Sequence, residues 1–246
     1  VPLIVDQAHG AHFPFSSYFP EDALKAGADV VIQSLHKTLP ALTQTALLHI
    51  QGELVDREKL RYYLSVYQTS SPSYVFMASI DSCLEQLERE GRTLFQEYTA
   101  RLEAFRQGCR DLECLHLAGR ELAGKAGVSD FDRSRLVIST EGTVFTGEDL
   151  MEYLRSSHHL ELEMAAGHYA VGISSVADQE KDFMRLSDGL HTLDRLLQKQ
   201  SGGRRAIDFN RQQLPKACTL LTIGTALEQK REWIEAGSCQ GQIAGA

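Results

Sequence analysis

The sequence predicts an α/β fold: a mostly parallel sheet with flanking helices, followed by a small α+β region. Three observations carry that reading. Apolar, β-rich runs at residues 1–6, 29–33 and 46–50 stand on either side of a segment with helix-opening chemistry. A sustained helical period runs from Tyr74 to Arg110. Beyond it, short strands alternate with two helical segments as far as Gln198. The 246 residues are 43% hydrophobic, enough to bury one large core or two modest ones.

The elements follow in order. VPLIVD is apolar throughout, as a central parallel strand should be, and ends on Asp6. PEDALKA places Pro20 and two acids in a first helical turn and stops at Gly27. DVVIQ and ALLHI are the next two strands, so that strand, helix and strand read as a βαβ unit. Residues 53–66 read as a helix, and Gln68 to Pro72 as the loop that breaks it. In the long helix, Leu84, Leu87, Leu94, Tyr98, Leu102 and Phe105 recur at steps of three and four, with Gly91 as a candidate kink. RLVIST (135–140), residues 161–164 and residues 169–174 read as strands, and residues 146–156 and 178–198 as helices. Ser201 to Arg205 reads as a polar linker, and the tail from Leu214 as one more helix carrying Trp233. Three regions result: 1–110, 111–200 and 201–246.

Charge and cysteine content narrow the function. A formal net charge of −8 argues against nucleic acid or an anionic membrane as the main partner. No apolar run approaches the roughly eighteen residues of a membrane-spanning helix. The five cysteines (Cys83, Cys109, Cys114, Cys218, Cys239) form no CxxC pair and fit reduced thiols in a cytoplasmic protein. Because the chain opens on a core strand and closes without a final element, a piece of a longer polypeptide is expected.

The chemistry concentrates at two strand ends: Asp6-Gln7-Ala8-His9, and Ser34-Leu35-His36-Lys37. Ligands of open α/β sheets sit at the carboxyl ends of strands. Lysine is rarely placed there unless it is paired or chemically used, and used lysines react with aldehydes. A carboxylate on a neighbouring strand then has a matching task, to hold a pyridine nitrogen protonated. His9 and His12 are spaced as metal ligands can be, but no third ligand accompanies them; a site-lining His9 and a structural or exposed His12 are expected. His158 and His159 read as a surface turn, and Lys125, Arg204 and Arg205 as surface charge.

Three stretches, DQAHGAH, GADVVIQSLHKTLPALTQTALLH and QTSSPSYVFMASID, closely resemble the pyridoxal-phosphate-dependent ornithine/lysine/arginine decarboxylases of the aspartate-aminotransferase fold. The likeness is strongest over residues 1–82 and weaker in LELEMAAGHYAVGISS. It implies that Asp6 pairs with the pyridine nitrogen, that Ala8 packs against the ring and that His9 lines the site. It also implies that Ser34 is a phosphate ligand, that His36 lies beside cofactor and substrate carboxylate, and that Lys37 is the Schiff-base lysine. Thr69 matches a residue reaching the phosphate of a neighbouring subunit's cofactor, which implies a homodimer or larger assembly with the site at its interface. Glu163 is expected to face the cationic end of the substrate. The resemblance implies decarboxylation of arginine, lysine or ornithine. It also implies an upstream phosphate-binding turn and a further carboxy-terminal segment, neither present in this sequence. Two alternatives stand beside this reading: another enzyme of the same fold such as an aminotransferase, for whose carboxylate-binding arginine Arg135 and Arg185 are candidates, and a non-catalytic copy.

Overall fold

The computed structural model describes residues 1–125, 127–199, 220–230, 234–235 and 238. The chain divides into two units, residues 1–206 and 207–246. In the second, a six-residue helix spans Ile223–Glu228. The linker at 201–205, Cys218, Cys239 and Trp233 lie outside the described residues.

The first unit is mixed α/β and holds two sheets. The first sheet consists of β1 (Ile4–Asp6), β2 (Val30–Ser34) and β3 (Ala46–Ile50). β1 runs parallel to β2, with Ile4 opposite Val30 and Asp6 opposite Ile32. β3 returns antiparallel to β2, so the expectation of a mostly parallel sheet is corrected here. After β2, one short helix, α1 (Leu35–Thr38), is followed by a seven-residue loop to Ala46. A connection that short turns the chain back, because a parallel crossover needs a dozen residues or more.

The expected helix at 20–26 is also corrected. One turn forms, closed by the Ala26 amide on the Asp22 carbonyl, and Gly27 ends it at φ +96°. Side chains from β1's turn and from the end of β3 bind the backbone on either side of it. Gln7 Oε1 accepts from the Ala23 amide, while Gln51 Nε2 donates to the carbonyls of Leu24 and Ala28.

Two further helices follow, α2 (Arg57–Tyr67) and α3 (Tyr74–Gly108). Asp56 caps α2 by accepting the Lys59 amide at 3.0 Å. α3 runs 35 residues, unbroken through Gly91. Leu87, Phe95, Tyr98, Leu102 and Phe105 form its buried face, but Leu84 is exposed.

The second sheet is antiparallel throughout, in the order β4 (His116–Leu117), β5 (Arg135–Ser139), β7 (Tyr169–Ile173), β6 (Met164–Ala166). α4 (Gly147–His158) packs on it, and α5 (Glu180–Lys199) packs on α4 and α3. α4 starts at a capping box, Thr146 and Asp149 exchanging side-chain and backbone bonds, and ends at His159 in the left-handed region, φ +53°. Leu136, Ile138 and Ala170 from the sheet meet Leu150, Leu154, Leu186, Leu190 and Leu193, all buried. Asp194 of α5 fixes the chain leaving α3 by accepting the amides of Glu113, Cys114 and Leu115.

Candidate active site at the strand ends

β1 and β2 end side by side, and each hands its next residues to a tight turn. At the end of β1, Asp6 Oδ1 accepts the Ala8 amide at 3.0 Å, and the Gly10 amide returns to the Gln7 carbonyl at 2.9 Å. Gly10 is required there: a Cβ would fall 2.7 Å from Gln7 Cγ and from the Phe13 ring. Buried Gln7 anchors the turn from below. Its Nε2 donates to the Gly10 carbonyl and to Asp22 Oδ1, at 2.9 and 2.7 Å. Gln33 of β2 donates to the same Asp22 oxygen, and His49 Nε2 lies 3.1 Å from Gln33 Oε1. These buried side chains tie the ends of β1 and β2 to one floor.

At the end of β2, Ser34 is half-buried and makes no side-chain capping bond to α1, so its hydroxyl faces no competitor at that helix start. His36 is half-buried with Nδ1 3.0 Å from the Thr45 carbonyl oxygen. A carbonyl only accepts, so Nδ1 carries the hydrogen and, in the neutral ring, Nε2 is left as an acceptor. Lys37 is exposed, and its Nζ lies 3.2 Å from His9 Nε2. His9 thus joins the two strand ends.

Around the His9 ring stand four charges. Desolvation, then the charges of Arg135 and Lys37, hold His9 below the ordinary histidine range; Glu163 and Asp6 pull the other way. Arg135 opens β5 in the second sheet and reaches over to the turn, Nη2 donating to the His9 carbonyl at 2.8 Å. Asp132 Oδ2 lies 3.5 Å from Arg135 Nε, and the Arg135 Nη1 atom is buried without a partner. His12 is buried, Nε2 3.2 Å from Ser134 Oγ and 3.5 Å from Asp132 Oδ1.

Asp6, Ala8, His9, Ser34, His36 and Lys37 therefore lie on two adjacent strand ends, as the sequence led one to expect of a site. Glu163 is exposed just before β6 and acts electrostatically on His9. Thr69 stands apart on the exposed loop between α2 and α3, where its Oγ1 takes the Ser71 amide at 3.1 Å. One contributor escaped the sequence reading: Gln7 shows no signal beyond its place between Asp6 and Ala8. Arg135, 126 residues from His9, reads in the sequence only as a candidate carboxylate-binding arginine, not as a partner of the His9 turn.

The donor set suits pyridoxal phosphate: an amine for its aldehyde, a carboxylate for its ring nitrogen, a hydroxyl for its phosphate, and a small residue between them that leaves room for a planar ring. Residues 1–128 match the family Orn/Lys/Arg decarboxylase, major domain, and the chain belongs to that family. The arginine decarboxylase of Bacillus subtilis (strain 168) is 32% identical over 200 residues, covering 81% of this chain and 41% of that protein. The constitutive lysine decarboxylase of Escherichia coli (strain K12) is 37% identical over 76 residues, 30% of this chain and 10% of that one. Among solved structures, the lysine decarboxylase LdcF of Francisella novicida superposes with a TM-score of 0.67 at 18% identity, over 80% of this chain and 33% of its own. The chain thus spans about two fifths of the length of the arginine decarboxylases it resembles.

Proposed function

We propose that the chain carries the reactive-lysine half of a pyridoxal-phosphate-dependent decarboxylase acting on arginine, lysine or ornithine. The observation that carries this reading is the junction of β1 and β2, where Lys37 Nζ sits 3.2 Å from His9 Nε2 and Asp6 ends the paired strand. The family match and the likeness to arginine and lysine decarboxylases support the reaction class.

Pyridoxal phosphate, when bound, supplies an electron sink for the pair left on the α-carbon as carbon dioxide departs. Lys37 is the amine that would hold the cofactor's aldehyde and later carry a proton at Nζ. Asp6 is the carboxylate that would keep the ring nitrogen protonated. Ala8 would leave a flat face for the ring, and Ser34 would bond the phosphate through its hydroxyl. His9 lines the site beside Lys37. His36, its Nδ1 tied to the Thr45 carbonyl, turns an accepting Nε2 toward any ligand and is the second candidate for proton transfer. Glu163 provides negative charge for the far end of a dibasic substrate.

Residues 1–110 in this reading belong to the cofactor-binding large domain and residues 111–200 to the small domain. The assembly is a homodimer or larger, working in the cytoplasm, with Thr69 reaching a neighbour's cofactor. In support, α2 buries no residue, and Tyr62, Tyr63, Val66, Tyr67 and Tyr74 stay exposed around the Thr69 loop.

The test is to add pyridoxal phosphate to the purified chain, reduce with borohydride and map the modified residue by peptide mass spectrometry. The expected result is a single adduct on Lys37, absent from Lys37→Ala, with carbon dioxide released from one of the three amino acids once the full-length protein is assayed. Reduction onto other lysines to the same extent, or an undiminished adduct in Lys37→Ala, would overturn the assignment.

A further inference from the structure

We propose that Arg135 is a positioning residue of this site: from the second sheet it holds the His9 turn in place and so sets the contact between the His9 imidazole and Lys37. The inference rests on the reading of Lys37 as the reactive amine and adds a residue from outside both strand-end motifs.

The geometry is direct. Arg135 Nη2 donates to the carbonyl of His9 at 2.8 Å, and the ring of that same residue meets Lys37 Nζ at 3.2 Å. Arg135 has itself little freedom to move. Its side chain is 15% exposed, Asp132 lies 3.5 Å from Nε, and its own carbonyl accepts from buried Arg106 at 3.0 Å. The neighbouring residues grip the same turn: Ser134 Oγ bonds both Asp132 oxygens at 2.8 Å and lies 3.2 Å from Nε2 of His12, three residues past His9. Segment 132–135 is thus a clamp on residues 9–12, and Arg135 is its member nearest the chemistry.

Arg135 acts in two ways. Its hydrogen bond fixes where His9 sits, and its charge disfavours protonation of the ring. The charged groups that face His9 are Asp6 at the end of β1, Lys37 in α1, Arg135 in β5 and Glu163 before β6. Of the two cations, Lys37 would be consumed by chemistry at its amine, so Arg135 is the one that stays charged throughout. A neutral His9 can accept from the Lys37 ammonium through Nε2, whereas a protonated one repels it.

The test reads Lys37 without any cofactor. The full chain is treated with a trace of acetic anhydride at fixed pH, and acetylation of Lys37 is measured by mass spectrometry relative to exposed Lys25. His9→Ala, which removes the imidazole partner, should change the Lys37/Lys25 ratio by about threefold or more, and Arg135→Met should change it in the same direction by about twofold or more. In the His9→Ala background, Arg135→Met should add nothing, because its effect passes through His9. In parallel, the His9 titration midpoint followed by NMR should rise in Arg135→Met and stay low in Arg135→Lys, which keeps the charge. Should Arg135→Met fail to fold, Arg135→Lys carries the cycle alone, since lysine cannot reproduce the guanidinium's hold on the carbonyl. An unchanged Lys37 ratio, or an Arg135 effect that persists fully without His9, would overturn the proposal. Neither result depends on whether borohydride traps pyridoxal phosphate on Lys37.

Discussion

The two sheets of the first unit solve different problems. The antiparallel sheet is well covered: β5 alternates buried and half-buried residues, α4 packs on β6 and β7, and its leucines join a buried core that runs on through α5 and α3. The three-stranded sheet buries less on its outer side. Ile4 of β1 is 62% exposed, yet this strand and its neighbour deliver Asp6, His9, Ser34 and Lys37. The candidate chemistry sits at the strand ends of the first sheet, and the clamp at residues 132–135 is where the second sheet grips the turn that carries His9.

The largest expected effect lies in the core. Leu190 of α5 is fully buried in the core. Leu190→Ala should cost about 2–5 kcal/mol in urea unfolding, the sum of lost apolar burial and the cavity left behind. If the comparison holds, this loss is one that no single truncation in β1 matches. A loss below about 1 kcal/mol would show that α5 relaxes onto α3 and α4 and that the second region is softer than its packing suggests.

The division also explains what was legible in the sequence. α3, α4 and α5 are long enough for the helical period to stand out, and in α3 Leu87, Tyr98, Leu102 and Phe105 are buried at the expected steps, while Leu94 is half-buried and Leu84 exposed. β2 and β3 were visible as apolar runs. The direction of β3 was not, because a strand's side-chain pattern carries no polarity and only the length of its connection does. The helix expected at 20–26 forms a single turn and ends at Gly27, whose φ of +96° lies outside the helical region. β4, two residues long, has no period to read. Of the site, the strand-end motifs were legible because local spacing encodes them. Arg135 and His12 were not legible as a link between the sheets, since their partners lie 126 and 122 residues away and nothing local marks either pairing.

A middle-sized effect is expected at the clamp itself. Burial pushes the Asp132 carboxyl up, but the hydrogen bond and charge of His12 and the hydroxyl and amide of Ser134 outweigh it, so the carboxyl sits below the usual aspartate range. A group with a depressed folded pKa adds stability that is fully present above its unfolded value and is lost as the pH falls through the folded one. The chain should therefore lose stability on acidification below the ordinary aspartate range. Asp132→Asn should cost about 1–2 kcal/mol at neutral pH, since buried donors lose a charged acceptor, and should flatten the acid limb of the stability curve. Parallel acid limbs in wild type and Asp132→Asn would mean that the clamp is held by Arg135 and packing rather than by this carboxylate.

The smallest effect is expected where the chemistry-bearing sheet is least buried. Ile4→Lys places a charge on a strand whose side chain at that position already faces solvent, and the backbone pairing of Ile4 with Val30 does not depend on the side chain. Stability of the chain should stay within about 0.5 kcal/mol of wild type. What should change is association. An exposed apolar side chain on a strand favours pairing with another chain, and lysine is a residue that discourages such pairing. Light scattering at rising concentration should therefore show less self-association in Ile4→Lys, with Tyr67→Lys on α2 as the contrasting variant. If Tyr67→Lys alone suppresses association, the chain meets copies of itself through the aromatic face of α2 and the Thr69 loop, and β1 plays no part. If Ile4→Lys instead unfolds the chain, β1 is held by more than its hydrogen bonds, and the contrast between the two sheets narrows to the turn that carries His9.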